Sequence, residues 1–369
     1  MIPVNEPLIA KNAQKYVLNC IKTGWVSSAG EYIGKFEKNF ADFLGVKYAT
    51  TTTNGTAALH LAIAAFGIGK GDEVILPNLT IISCALAVVY TGATPVLVDG
   101  VEDSGNIDPT KIEEKITKRT KAIMVVHLYG HPADMDPILS LAKKYKLAVI
   151  EDAAEAHGAE YKGKKVGYIG DVGCFSFYAN KIVTTGEGGM VVTNNEKLYE
   201  KVKLLKDLAH SSKRRFLHEE IGFNYRMTNL QAALGLAQLE EIETYIQKKR
   251  WMAKLYTNGL KHIPNIELPG EQSWAKSVYW MYTLKVKKQS PITKDKLRKK
   301  LTNLRVDTRD FFYPLHQQPA LRRLGLLGKE RYPVSTDLSE RGFYIPSGLA
   351  LTEEQISRVI ESIKKAANA

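Results

Sequence analysis

The chain alternates short apolar runs with stretches in which apolar residues return every three or four positions. Between about Val46 and Val192 the runs are Glu73-Val-Ile-Leu-Pro77, Pro95-Val-Leu-Val-Asp99, Ala122-Ile-Met-Val-Val-His127, Leu147-Ala-Val-Ile-Glu-Asp152 and Val172-Gly-Cys-Phe-Ser-Phe177. Several are apolar at nearly every position, as a strand must be when both faces of its sheet are covered. The intervening segments 55–66, 81–91 and 137–146 carry apolar residues at helical spacing. Strand and helix in alternation predict an α/β layered domain with a mostly parallel sheet.

After Thr228 the pattern changes. Residues 229–260 read as one long helix with an apolar stripe on one side. A strand over Tyr279 to Val286, a helix over Lys294 to Asn303 and a last helix over Thr352 to Ala366 follow. Thr352-Glu-Glu-Gln355 supplies the threonine and the reciprocal glutamine of a capping box. At 369 residues the chain exceeds the usual single-domain size. The pattern therefore predicts a large α/β domain over 1–245 and a small α+β domain over 246–369, with 1–12 free to pack elsewhere.

A composition 44% hydrophobic and 24% charged belongs to a folded chain and argues against disorder. The amino end lacks a basic region leading into an apolar one, and the apolar run from Leu79 to Tyr90 is too short to cross a bilayer. A cytoplasmic protein is expected. Three cysteines without Cys-x-x-Cys spacing encode neither a disulfide framework nor a thiolate metal site. His127 and His131 are four apart, but Gly130 and Pro132 oppose the helix that would present both to a metal. The net charge of +12 raises nucleic acid as a partner. Its densest clusters, Lys213-Arg214-Arg215, Lys248-Lys249-Arg250 and Arg298-Lys299-Lys300, are scattered and lack the interleaved aromatics of a stacking groove. Solvated helix ends and loops account for them, and so does an anionic small substrate.

Three segments carry candidate chemistry. Thr51-Thr-Thr-Asn54-Gly55-Thr56 sets small hydroxyl and glycine residues before a helix, where free N–H groups and the positive dipole end can cradle a phosphate; an ordinary capped helix reads the same way. Glu151-Asp152-Ala-Ala-Glu155 places acids just past the carboxyl edge of a buried strand, where open α/β sheets bind ligands, although such acids also cap helices or pair with a surface arginine. Phe175-Ser176-Phe-Tyr-Ala-Asn-Lys181 runs into Gly186-Glu-Gly-Gly-Met190 and puts a lysine between a strand and a glycine-rich turn. Desolvation there would lower its pKa and make it a nucleophile and proton carrier; an exposed loop lysine is the plain alternative.

These parts stand in the chain order of fold-type I pyridoxal-phosphate enzymes. With Gly24-Trp25-Val26-Ser27-Ser28, Val126-His-Leu-Tyr-Gly-His-Pro-Ala-Asp-Met135, Gly222-Phe-Asn-Tyr-Arg-Met-Thr228 and Pro314-Leu-His316 added, the chain resembles the DegT/DnrJ/EryC1/StrS family of sugar aminotransferases along nearly its whole length. The resemblance implies an aspartate aminotransferase-like fold with a mostly parallel seven-stranded sheet between helices, and pyridoxal 5'-phosphate as cofactor. It assigns Lys181 as the residue bonded to the cofactor and Asp152 as the partner of its ring nitrogen. Gly55, Thr56 and Ser176, with Asn54 beside them, match positions that hold the cofactor phosphate, and Glu155 a position near the ring hydroxyl. Thr80 and Ile81 match the ring-covering segment, with Ile81 departing from the aromatic that many members carry there.

Asn224 matches a residue reaching the neighbouring subunit's cofactor phosphate, which implies a homodimer with shared active sites. Trp25, Ser27, Arg309 and His316 are implied near the sugar nucleotide, with Lys213 and Arg215 contributing charge from the partner; Arg309 could instead hold the small domain together. The implied reaction moves an amino group from L-glutamate to a GDP-linked 4-keto-6-deoxy sugar for surface polysaccharide. UDP- or dTDP-linked 3- or 4-keto sugars are the alternative acceptors. A related 3-dehydratase branch carries histidine in place of the lysine, so Lys181 argues against it. A non-catalytic regulator on this fold would have no need of the Asp152 and Lys181 pair.

Overall fold

The apolar runs lie side by side in one sheet. The structure, a computed structural model, describes all residues except 212, 213, 215, 329 and 369, and the side chain of 368. Strands β1 (Tyr48–Thr52), β2 (Glu73–Pro77), β3 (Thr94–Val98), β4 (Thr120–Val126) and β5 (Ala148–Asp152) precede a short ribbon of β6 (Glu160–Tyr161) and β7 (Lys164–Lys165). After it come β8 (Val172–Ser176) and β9 (Gly189–Thr193). All but the ribbon join a seven-stranded sheet in the order β1-β9-β8-β5-β4-β2-β3. The pairs from β8 to β3 are parallel, and β9 alone runs antiparallel to its neighbours.

Alternation along each strand divides the side chains between two helical layers. Ile75, Ile123, Val149 and Phe175 point into a core shared with Phe36 and Phe40 of α2 (Glu31–Leu44) and with the 229–240 helix. Their neighbours Val74, Leu76, Met124, Ile150 and Cys174 face the other way, onto α3 (Gly55–Ala65) and α4 (Ser83–Tyr90). A sheet covered on both faces explains why its strands read as continuous apolar runs.

The expected long helix is two helices, Asn229–Glu240 and Ile242–Leu260, broken at Glu241 (φ −103°, ψ 6°). The first has no single stripe: Asn229, Ala232, Ala233, Gly235, Leu236, Ala237, Gln238 and Leu239 are all buried. Small side chains let it sink between α1 (Ala13–Thr23), α2 and the sheet. Its start carries a full capping box made by Thr228 and Gln231.

The rest of the chain builds a four-stranded antiparallel sheet, with β10 (Ile266–Glu267), β12 (Tyr282–Val286), β14 (Gly342–Ile345) and β13 (Arg309–Asp310) in that order, while β11 (Ala275–Lys276) joins the ribbon. The strand expected from Tyr279 begins at Tyr282, because Tyr279 takes a left-handed conformation (φ +46°). A separate core joins Tyr256, Tyr282, Phe343 and Val359, and Ile2 belongs to it. Ile2 also bridges Val306 in parallel, so the amino end of the chain lies against its carboxyl-terminal third. The Lys294–Asn303 helix has the expected bounds, and the Thr352–Gln355 capping bonds form in both directions (3.0 and 3.2 Å). Among the described residues no helix is long and apolar enough to cross a membrane.

Candidate active site

A cavity of about 600 Å³ opens where the carboxyl ends of β4, β5 and β8 meet the start of α3. Consecutive residues at the end of β5 face opposite ways. Glu151 is fully buried on the side away from the cavity, accepting from His127 Nε2 (2.9 Å) and from the backbone N–H groups of Gly167 (2.7 Å) and Gly170 (2.6 Å). His127 Nδ1 accepts from Ala133 N–H, so Nε2 carries the hydrogen directed at Glu151. Asp152 lines the cavity instead, with one oxygen accepting from Ala154 N–H (3.0 Å) and the other from the weakly donating Cys84 thiol (3.0 Å). Among the described residues it forms no ion pair, which leaves its charge available to a ligand.

Lys181 enters the same cavity. Its side chain is 10% exposed and its Nζ lies 3.5 Å from Glu155 Oε1. Burial pushes the amine's pKa down, against the opposing pull of Glu155 and Asp152. Glu155 is raised to about 7 by burial, with Lys181 and the Tyr129 N–H working the other way. That N–H reaches Glu155 Oε2 at 2.8 Å because Tyr129 adopts φ +53°. Next to the lysine loop, His157 sits among Phe40, Phe175 and Phe177, and burial lowers its pKa to about 3, so it stays neutral.

The third wall is the start of α3. Asn54 caps the helix, its side chain accepting from Ala57 N–H at 2.8 Å. A Cβ on Gly55 would fall 2.7 Å from Ser176 Cβ, so only glycine lets the helix start come this close to the end of β8. Thr56, Ser176 and the first-turn N–H groups are thereby gathered on one side of the cavity. An anion-ready helix start, a carboxylate, a desolvated amine and apolar cover fit a planar phosphorylated cofactor.

The cavity thus brings together Asn54, Gly55, Thr56, Thr80, Ile81, Asp152, Glu155, Ser176 and Lys181. The other candidates stand elsewhere. Asn224 is exposed, its side-chain oxygen accepting from Arg226 (3.2 Å). Trp25 and Ser27 are exposed, with both carbonyls held by Asn229 (2.7 and 2.6 Å). Arg309 opens β13 beside Tyr344, a cavity residue, and pairs with Asp307 at 3.3 Å. His316 is half-buried, tied to Asn78 just after β2 (2.9 Å) and packed on Tyr332. Lys213 and Arg215 lie outside the described residues.

Sequence reasoning missed the aromatic part of the lining: Trp280, Phe312, Tyr344, Tyr225, His60 and Tyr90. Trp280 lies within the expected strand from Tyr279, and nothing local to it signals a ligand. Cys84, which carries no disulfide or metal-site spacing, places its thiol against Asp152.

A mostly parallel sheet with a strand-end carboxylate, a desolvated lysine and a glycine-built helix start around one cavity defines a fold-type I pyridoxal-phosphate enzyme. The chain belongs to the DegT/DnrJ/EryC1/StrS aminotransferase family, whose profile matches residues 7–364. It is similar to GDP-perosamine synthase of Caulobacter vibrioides, 46% identical over 98% of this chain and 97% of the relative. GDP-perosamine synthase of Escherichia coli O157:H7 is 44% identical over 99% and 98%. Among solved structures, the aminotransferase from Psychrobacter cryohalolentis superposes with a TM-score of 0.93 at 34% identity, covering 98% of each chain. The protein is an enzyme, a sugar aminotransferase whose cofactor is pyridoxal 5'-phosphate.

Proposed function

We propose that this enzyme makes GDP-perosamine, transferring the amino group of L-glutamate to the C4 ketone of GDP-4-keto-6-deoxy-D-mannose. The observation that carries the reading is end-to-end similarity, at 44 and 46% identity, to two GDP-perosamine synthases. Lys181 would hold the cofactor covalently, Asp152 its ring nitrogen, Glu155 its ring hydroxyl, and Gly55, Thr56 and Ser176 its phosphate, while Thr80 and Ile81 would cover the ring. When bound, the cofactor supplies an electron-poor ring that accepts the electron pair left when a proton leaves the neighbouring carbon.

The chain's own groups do the rest. Once the incoming amine has displaced it from the cofactor, the desolvated Lys181 would take that proton at Nζ and return it on the other side of the reaction. Asp152, free of any ion pair among the described residues, keeps a proton on the ring nitrogen. Glu155, raised to about 7 by burial, would share a proton with the ring hydroxyl. Val126, Trp280 and Phe312 give the cavity apolar walls beside these polar groups.

We place Trp25, Ser27, Arg309 and His316 with the sugar nucleotide, and Asn224 at the partner's cofactor in a homodimer. Exposed apolar side chains such as Ile21, Trp25 and Ile221 support such an interface. We further read residues 1–245 and 246–369 as the two domains, and the cytoplasm, where nucleotide sugars are made, as the location. The product would serve surface polysaccharide such as O-antigen.

The test is a panel of GDP-, UDP- and dTDP-linked ketosugars offered with L-glutamate and cofactor, with products read by mass spectrometry. Amination of the GDP-linked 4-ketosugar with ping-pong kinetics is expected. Conversion of the UDP- or dTDP-linked sugars alone rejects the assignment, and a protein colour that L-glutamate leaves unchanged rejects L-glutamate as the donor.

A further inference from the structure

We propose that Trp280 is a positioning residue for Lys181: its indole N–H grips the peptide immediately before the lysine while its ring face holds the amine. This rests on the reading of Lys181 as the reactive amine. Trp280 Nε1 donates to the carbonyl of Asn180 at 2.7 Å, and Lys181 Nζ stands 3.7 Å from the centroid of the indole. One side chain, 99 positions away in sequence, therefore fixes both ends of the lysine. Asn5 Nδ2 donates to the same carbonyl (3.2 Å), closing the loop from the amino-terminal side.

The indole cannot easily swing away. Trp280 is 3% exposed, and its own carbonyl accepts from Lys249 Nζ at 2.6 Å. Lys249 is itself buried and reaches a second carbonyl, that of Ser347. On the other side the backbone of Trp280 packs where a Cβ on Gly130 would lie 2.8 Å from its nitrogen, and its ring lies nearly parallel to Tyr129 (12°). Tyr129 in turn holds Glu155 by its N–H. The wall opposite Asp152 is thus one fixed assembly that presents a π face on one side of the lysine amine and a carboxylate on another.

The face has a chemical consequence. An aromatic quadrupole favours the ammonium over the neutral amine, which opposes the effect of burial on Lys181. A lysine that must both accept and release a proton needs these two influences in balance. The Nε1 bond to Asn180 serves a separate end, limiting the arc through which the amine moves.

The experiment uses the full chain freed of cofactor, so its outcome does not depend on transamination. Acetylation of Lys181 by acetic anhydride is followed against pH by peptide mass spectrometry in wild type, Trp280→Phe and Trp280→Met. Both variants lose the indole N–H, but only Met lacks a ring face. The midpoint should fall by about one pH unit in Trp280→Met and stay near the wild-type value in Trp280→Phe. Equal midpoints in all three, or equal falls in both variants, overturn the role of the face. Should Trp280→Met not fold, fluorinated tryptophan weakens the ring face without changing its shape. It should lower the midpoint in wild type and not in Trp280→Phe; no shift in wild type overturns the proposal.

In the holoenzyme, Trp280→Phe should lower kcat about fivefold with KM for L-glutamate unchanged, because the lysine loses one hydrogen-bonded anchor. Unaltered kcat removes the backbone half of the proposal. A wild-type protein that titrates as expected but aminates no ketosugar condemns the functional reading and leaves this one standing.

Discussion

The two faces of β5 carry one carboxylate each, side by side in sequence, with opposite uses. On the back face Glu151 has three strong donors and a fully packed site. On the cavity face Asp152 has one backbone N–H and one thiol. Both are buried; the difference lies in how completely each is satisfied. A carboxylate held by three strong donors of the fold is structural, since burial without partners would be costly. One left with capacity beside a cavity is held ready for a partner from outside.

The comparison can be broken at several points. Lys181→Ala, facing Asp152 across the cavity, should reduce turnover by at least about 10³-fold, because no other amine replaces the proton carrier. Its melting temperature should not fall, since burying that amine is unfavourable to folding; a variant retaining full activity with both substrates would falsify the assignment. Asp152→Asn should cost about 10²-fold in kcat with little loss of stability. Glu151→Gln should do the reverse, losing about 2–4 kcal/mol in urea denaturation while kcat per folded molecule is retained. If the two substitutions behaved alike, the distinction between the faces would be wrong.

Gly55→Ala sharpens the picture of the cavity side. The added methyl meets Ser176, so the helix start must retreat, and cofactor affinity should weaken about tenfold by equilibrium titration. The smallest effect concerns pH. Glu155 has a folded pKa of about 7, raised above its ordinary 4.5. Between these values the unfolded chain has released a proton that the folded, cofactor-free protein retains. The stability contributed by the protonated carboxyl is therefore fully present below about pH 4.5 and lost as pH rises through about 7. Thermal melts of the cofactor-free protein at pH 5 and 7.5 should show a decline that Glu155→Gln lacks; parallel behaviour of the two proteins would count against it.

Much of the large sheet could be read from the sequence because its strands are buried on both faces and stand out as apolar runs. The strands β1, β9, β10, β13 and β14 went unseen. Runs of only two to five residues, such as Tyr48-Ala-Thr-Thr-Thr52 or Arg309-Asp310, match a loop as well as a strand until a neighbour supplies the ladder. The split at Glu241 was hidden for a related reason: the 229–240 helix is buried nearly all round, so no stripe marks where its orientation changes.

Local sequence determined the parts whose chemistry lies in adjacent residues: the capped, glycine-built start of α3, the acids ending β5, and the lysine after β8. Alternation of side chains along a strand already separates Glu151 from Asp152. Which of the two meets a cavity, and that Trp280 arrives from a distant segment to hold Lys181, was decided only when the segments packed. Contacts between residues some hundred positions apart leave no periodicity or spacing in the chain, because they depend on the relative placement of whole elements.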